Sequence, residues 1–318
     1  MKPDLYAVFG NPIAHSKSPL IHGQFAKQTN EHIEYIKIEA PLDGFKKSID
    51  NFFNEQNGQG CNVTLPFKEQ AFQLADEKSA RAQWAGAVNT LKKLPDGKLF
   101  GDNTDGCGLV RDLTDNHKIE LKNKRILVLG AGGAVRGVLQ PLLEQTPSAL
   151  VIANRTPEKA AALAEHFKSL GNISASSFAD LKSQTIFDVI INGTSASVSG
   201  DVPPVSANCF NAKTSAYDMF YSDKPTAFCA WAISQGMKNV FDGFGMLIEQ
   251  AAEAFYVWRG KRVDSKSAFT LFKHKIFRMN HFKREAILMM IFLSLPIILL
   301  IISVLYLIVK QSIFYIFN

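Results

Sequence analysis

Lys68 and Asp105 are the side chains of this sequence best suited to moving a proton. Each ends a short polar string, Asn62-Val63-Thr64-Leu65-Pro66-Phe67-Lys68 and Asn103-Thr104-Asp105. An ammonium group with a carboxylate beside it can take or give the proton of an alcohol while the carbon changes oxidation state. Further polar groups stand in His15-Ser16-Lys17-Ser18-Pro19 and in Gly86-Ala87-Val88-Asn89-Thr90. A fifth string, Val128-Leu129-Gly130-Ala131-Gly132-Gly133-Ala134, reads as a strand, a glycine turn and the start of a helix. Such a turn lets the backbone approach a pyrophosphate while the helix aims its amide dipoles at the charge. Its spacing departs from G-x-G-x-x-G, because Val135 holds the third glycine position and an extra glycine stands at 133. Together these strings point to a dehydrogenase, in which a dinucleotide carries the hydride and a side chain handles the proton.

The next strand bears on which dinucleotide. It ends Ala153-Asn154-Arg155-Thr156, with Lys159 one turn later and no acid before Glu158. Sites that prefer NAD carry Asp or Glu there, about 20 residues past the glycines, to accept from the ribose 2′-hydroxyl. A guanidinium with amide, hydroxyl and ammonium groups nearby suits a 2′-phosphate instead, so NADP is the expected cofactor. No metal is expected. Asp102-Asn103-Thr104-Asp105-Gly106 has its glycine one position early for a calcium loop and Leu113 at the twelfth place. Cys61, Cys107, Cys209 and Cys229 form no C-x-x-C pair, and free thiols fit a reducing cytosol. The apolar stretch at residues 5–9 is too short for a secretory signal.

Positioning these groups requires an α/β fold. Strands are predicted at 5–9, 32–38 and 60–65, alternating with helices at 18–30 and 45–54, which implies a parallel sheet. Residues 85–100 read as two strands around the turn Pro95-Asp96-Gly97. A helix should follow Asp105. A second alternation begins at 126–129 and continues with a helix at 135–144 and strands at 150–153, 189–192 and 216–219. A helix is predicted over 243–258. With 318 residues, two domains are expected. The first is an α/β substrate domain, 1–105 with 243–272, and the second a Rossmann-like NADP domain, 106–242, with the cleft between them.

The net charge of +6 is local, since Arg259, Lys261, Arg262, Lys266, Lys273, Lys275, Arg278, Lys283 and Arg284 cluster near one end. Basic residues beside an apolar run favour lipid headgroups over nucleic acid, for which no motif stands out. Residues 273–285 read as a basic linker. The 24 residues 286–309 carry no charge and include Ser294, Pro296 and Ser303. At about 1.5 Å per residue they exceed the ~30 Å hydrocarbon core, so a transmembrane helix is expected, with the catalytic domains on the cytoplasmic side.

Motif by motif, residues 4–260 resemble the shikimate dehydrogenase family. The strings above recur in the family's order, together with Tyr217-Asp218-Met219-Phe220-Tyr221 and Asp242-Gly243-Phe244-Gly245-Met246 through Gln250. The resemblance implies NADPH-dependent reduction of 3-dehydroshikimate to shikimate, in the pathway to aromatic amino acids. It also implies that Ser16 and Ser18 bind the substrate carboxylate, with Thr64, Asn89, Asp105, Tyr221 and Gln250 around the ring hydroxyls. Lys68 would be the general acid/base, with Asp105 beside it. Gly130, Ala131, Gly132, Gly133 and Ala134 would hold the pyrophosphate, Asn154, Arg155, Thr156 and Lys159 the 2′-phosphate, and Met219 and Gly243 the nicotinamide. The resemblance leaves room for a homodimer. Two departures stand out: His22-Gly23 where the family more often has His-Asn, and the apolar tail. Rival readings are a quinate/shikimate dehydrogenase with relaxed cofactor use and a membrane-tethered NADP sensor without turnover, which would need neither Lys68 nor Asp105.

Overall fold

The computed structural model describes residues 2–183 and 185–270. Its first sheet contains β1 (Asp4–Gly10), β2 (Ile33–Glu39), β3 (Gly58–Val63), β4 (Glu77–Lys78), β5 (Thr90–Lys93) and β6 (Leu99–Asp102), in the spatial order β2-β1-β3-β5-β6-β4. β1 is the buried strand of the parallel half, and β2 covers its edge with Glu34, Lys37 and Glu39, charges that discourage further pairing. The helix Ser18–Thr29 follows β1, opened by Pro19 and closed by Asn30 in the left-handed region at φ 52°. Phe9, Phe45, Phe52 and Phe67 fill the core beneath. Truncating one such ring to alanine costs about 3–5 kcal/mol.

This sheet is mixed, whereas the sequence pattern implied a parallel one. Residues 80–85 form a helix, capped by Ser79 accepting from Ala82 N and ended by Gly86, so the first strand of the pair begins only at Thr90. From there the chain turns back as a hairpin around Pro95-Asp96-Gly97, and β5 pairs antiparallel with both β3 and β6.

The second sheet is parallel throughout. β7 (Arg125–Leu129), β8 (Ala149–Asn154), β9 (Ile173–Ser177), β10 (Val189–Asn192), β11 (Ser215–Asp218) and β12 (Asn239–Asp242) lie in the order β12-β11-β10-β7-β8-β9. Ile126, Leu127, Val128 and Leu129 are all fully buried, as expected for a central strand covered by helices on both faces. The order reverses between β7 and β10, and a crevice at the carboxyl ends of the strands there is where α/β sheets bind ligands.

Two helices tie the sheets together. Asp105–Arg111 leaves the first sheet and is crossed closely by its neighbours. A Cβ on Gly106 would stand 2.6 Å from the Gly137 carbonyl of the helix Gly133–Leu143, and one on Gly108 would stand 2.7 Å from the Gln250 backbone of the helix Phe244–Arg259. Only glycine permits both approaches, and Asp105 is thereby fixed at the junction. An ion cluster fastens the same junction. Arg81 binds the buried Asp102 through two bonds of 2.7 and 2.6 Å and reaches Glu253 at 3.1 Å, while Arg111 and Arg262 meet Glu253 at 2.6 and 2.5 Å.

Burial alone would raise the Glu253 carboxyl, but Arg111, Arg262 and Arg81 outweigh it and hold the group at about 2. Its ordinary value is 4.5. The sign is therefore that of a depressed acid: the stabilisation is complete above about pH 4.5 and is lost as pH falls towards 2, a contribution on the order of 3 kcal/mol. Glu253→Gln should melt well below the parent protein near neutrality, and the gap in Tm should narrow below pH 4.5. A gap independent of pH would contradict this.

Among the described residues, no helix is long and apolar enough to cross a membrane. The expected linker at 273–285 and transmembrane helix at 286–309 lie outside the described residues, as do residues 271–272 of the expected substrate domain.

Candidate active site

A cleft of about 410 Å³ lies at the carboxyl ends of the strands, with walls from both sheets. All eight residues expected around the substrate line it: Ser16, Ser18, Thr64, Lys68, Asn89, Asp105, Tyr221 and Gln250. Lys68 is the first residue of the helix Lys68–Leu74, just past the turn that ends β3, and Asp105 is the first residue of Asp105–Arg111. These two starts bring residues 37 apart in sequence together, so that Lys68 Nζ donates to Asp105 Oδ2 at 2.5 Å. The lysine side chain remains 23 % exposed, facing the cleft.

The carboxylate is held from behind. Asn89 Nδ2 donates to Asp105 Oδ1 at 2.7 Å and to Thr104 Oγ1 at 3.0 Å, and Asn89 Oδ1 accepts from Thr104 N at 2.9 Å. Asn103 Oδ1 accepts from Asp105 N at 3.2 Å, while its amide nitrogen donates to the Ala87 carbonyl. Asn103 is thus a brace rather than a cleft residue. Gln250 reaches the same knot from the helix Phe244–Arg259, its Oε1 lying 3.5 Å from both Asn89 Nδ2 and Thr104 Oγ1.

Ser16 Oγ donates to Ser18 Oγ at 3.2 Å and accepts from Ser18 N at 3.3 Å, so the two hydroxyls face one spot on the cleft wall. Tyr221 lines the cleft too, its ring against those of Phe220 and Phe244. Burial raises its phenol above the ordinary value, which keeps it a hydrogen-bond donor.

Asn62 also lines the cleft, although nothing in its string distinguishes it from its neighbours. Its Nδ2 donates to the Asn89 carbonyl and Thr90 Oγ1, which turns Oδ1 towards Tyr35 and His22. Tyr35 OH donates there at 2.7 Å, and His22 Nε2 lies at 3.1 Å. Burial pushes the His22 imidazole down to about 3, so the ring is neutral and carries its proton on Nε2. His22 lies flat on Tyr35, with centroids 4.5 Å apart. Neighbouring Gly23 has open space where a Cβ would stand, so the departure at 23 leaves this network intact. At the cleft mouth Lys17 meets Asp223 at 3.5 Å, an exposed pair worth under about 1 kcal/mol.

Of the residues expected at the dinucleotide, Ala134, Met219 and Gly243 line the cleft, whereas Gly130, Ala131, Gly132 and Gly133 lie beyond its lining. Gly130 has φ +105°, a conformation that favours glycine, and its N–H donates to the Ala153 carbonyl at 2.8 Å. The helix begins at Gly133, two residues earlier than its apolar pattern suggested. A Cβ on Gly132 or Gly133 would meet nothing within 4 Å, leaving open room over the helix start. The next strand end is adjacent, because β7 and β8 pair up to Leu129 and Ala153. Asn154 folds back to donate to the Thr156 carbonyl at 2.9 Å, and Arg155 and Lys159 are exposed. An open helix start beside two exposed cations suits a dinucleotide with an extra phosphate. Among the described residues no group of three or more acidic, His or Cys side chains is placed to hold a metal.

Three family models match the chain: a shikimate dehydrogenase substrate binding domain at residues 8–91, a shikimate/quinate 5-dehydrogenase at 112–199 and a shikimate 5′-dehydrogenase C-terminal domain at 243–267. A shikimate dehydrogenase (NADP(+)) of Hahella chejuensis is 56% identical over 262 residues, which cover 82% of this chain and 96% of that one. The crystal structure of an Ael1 enzyme from Pseudomonas putida superposes with a TM-score of 0.80 at 46% identity, covering 84% of this chain and 97% of the other. The shikimate 5-dehydrogenase of Thermus thermophilus, solved with NADP(H) and shikimate, superposes with a TM-score of 0.73 at 33% identity over 83% and 96% of the two chains.

Proposed function

The chain belongs to the shikimate dehydrogenase family, and from that premise we propose that the cleft uses Lys68 to move the hydroxyl proton as shikimate and 3-dehydroshikimate interconvert. It is an NADP-dependent oxidoreductase. NADP, when bound, supplies or accepts the hydride. The observation that carries the assignment of Lys68 is its 2.5 Å bond to Asp105 inside a cleft shared by both sheets.

In the direction of reduction, the Lys68 ammonium gives a proton to the carbonyl oxygen as that oxygen gains charge, and in oxidation the amine takes the hydroxyl proton back. Asp105 holds the lysine nitrogen in place, and Asn89 holds Asp105. Ser16 and Ser18 bind the substrate carboxylate, which orients the ring, while Thr64, Asn89, Tyr221 and Gln250 surround its hydroxyls. On the second sheet's side, Met219 and Gly243 in the cleft lining would border the nicotinamide, and beyond that lining the amides at Gly130–Ala134 would hold the pyrophosphate and Asn154, Arg155, Thr156 and Lys159 the 2′-phosphate. Residues 1–105 with the helix from 243 form the substrate side, and 106–242 the cofactor side.

Incubating the protein with shikimate or quinate and with NADP or NAD, and following the absorbance of the reduced nicotinamide, tests this reading. Turnover should be fastest by far with shikimate and NADP. No turnover in any combination would favour a sensor, and equal rates with NAD would favour the relaxed relative. The membrane anchor rests on the composition of 286–309 alone. The full chain should stay with membranes through alkaline carbonate extraction, and release into the supernatant would remove the anchor.

A further inference from the structure

We propose that Asp218 is a positioning residue: its buried carboxylate ties together the segments after β10 and β11 and thereby fixes Met219 and Tyr221 along the cofactor side of the cleft. The inference rests on the proposed function, which places the nicotinamide against Met219 and Gly243.

Asp218 ends β11 and is fully buried, yet it has no ion-pair partner among the described residues. Its charge is met by four donors instead. Oδ2 accepts from Ser197 Oγ and Thr226 Oγ1, both at 2.6 Å, and Oδ1 accepts from Asn192 Nδ2 and the Phe220 backbone N, both at 3.1 Å. A buried carboxylate is costly unless every lone pair finds such a donor, and an apolar residue of the same size would fill the space without that cost. What the carboxylate adds is direction. Asn192 ends β10 and Ser197 lies in the short helix Ala196–Ser199 that follows it, while Phe220 and Thr226 belong to the loop after β11, whose Met219 and Tyr221 line the cleft. Thr226 also caps the helix Ala227–Ser234, accepting from Cys229 N, so the far end of that loop is pinned as well.

Met219 is enclosed by the result. Its N donates to the Asn192 carbonyl at 2.9 Å, its sulfur packs over Gly193, and its carbonyl lies where a Cβ on Gly243 would intrude to 2.2 Å. Gly243 N in turn donates to the Phe220 carbonyl at 3.1 Å. Two backbone hydrogen bonds thus link residue 192 to 219 and residue 220 to 243 in one continuous run, with the Asp218 carboxylate bound to both Asn192 and Phe220 and Tyr221 next in the chain. None of these bonds reaches the strand end at Asn154–Lys159, where the adenosine half belongs.

The test compares Asp218→Asn with the parent protein in three measurements: kcat with shikimate, NADPH affinity, and affinity for adenosine 2′,5′-bisphosphate, which lacks the nicotinamide. The variant keeps the shape but puts an amide nitrogen where one carboxylate oxygen accepts from two hydroxyls. A small displacement of the nicotinamide wall should lower kcat by about ten- to a hundredfold and weaken NADPH severalfold, while bisphosphate affinity stays within about twofold. Unchanged kcat and NADPH affinity would overturn the proposal, and so would a parallel loss of bisphosphate binding, which marks a merely structural role. Should Asp218→Asn fail to fold, Ser197→Ala removes one donor and decides by the same pattern at about threefold or more in kcat. The binding arms need no turnover. If the parent protein failed to oxidise shikimate, that would count against the functional reading, while NADPH against bisphosphate would still decide the role of Asp218.

Discussion

Lys68→Ala lowers the kcat of shikimate oxidation by about a hundred- to ten-thousandfold, the range typical of a lost general acid/base, while KM for shikimate changes by less than about tenfold. The asymmetry follows from the site. Asp105 keeps its bonds to Asn89 and Asn103 when the lysine is truncated, so the ring of groups around the substrate hydroxyls stays in place. What disappears is the ammonium in contact with that carboxylate at the cleft. Lys68→Arg should not restore the rate, because a guanidinium stays protonated and cannot cycle a proton. Steady-state kinetics with saturating NADP separates the two parameters. A kcat within about twofold of the parent would remove Lys68 from the chemistry, and an equal loss in kcat and in binding would make it a structural residue.

Arg155→Ala should reduce kcat/KM with NADP by about ten- to a hundredfold and leave the much slower reaction with NAD within about threefold, the scale of a charge-assisted phosphate contact. Arg155 is exposed at the end of β8, beside the glycine turn, and carries no part of either core. Its loss therefore has no route to the reaction except through the 2′-phosphate. Lys159→Ala should act in the same direction with a smaller effect, since an ammonium makes no bidentate bond to phosphate. Comparable losses with both cofactors would contradict the assignment.

Elements dictated by local sequence are legible in the chain itself. The strand at 189–192 is one, because three consecutive β-branched apolar residues, Val189, Ile190 and Ile191, between turn signals have few alternatives, and the helix at 243–258 is another. The hairpin turn at Pro95-Asp96-Gly97 is legible for the same reason, yet its consequence for the sheet is not. Whether β5 joins β3 from a parallel or an antiparallel side depends on where the helix Ala80–Ala85 ends, and the periodicity there is only six residues long. Lys68, Asp105 and Asn89 stand out as polar residues at the ends of elements. Glu253 does not, because two of its three arginine partners, Arg81 and Arg111, reach it only across the fold, Arg81 from 172 residues away, and nothing in their neighbourhoods signals the pairing. Asp218 is visible only as part of a motif. Its four donors come from positions 192, 197, 220 and 226, which only the parallel packing of β10 and β11 brings together. Arg155 is readable from its place in the chain because it stands at the end of the second strand of a parallel unit, a position that the fold class already determines.

A crystal structure of the protein with shikimate and NADP bound together bears most closely on the proton-transfer role of Lys68 and on the two walls of the cleft. It should show the acid with its carboxylate on Ser16 and Ser18, the reacting hydroxyl within hydrogen-bonding distance of Lys68 Nζ, and the nicotinamide beside Met219 on the other side of the ring. Shikimate bound with Lys68 turned away to solvent, or with the nicotinamide seated elsewhere than against Met219 and Gly243, would contradict these assignments.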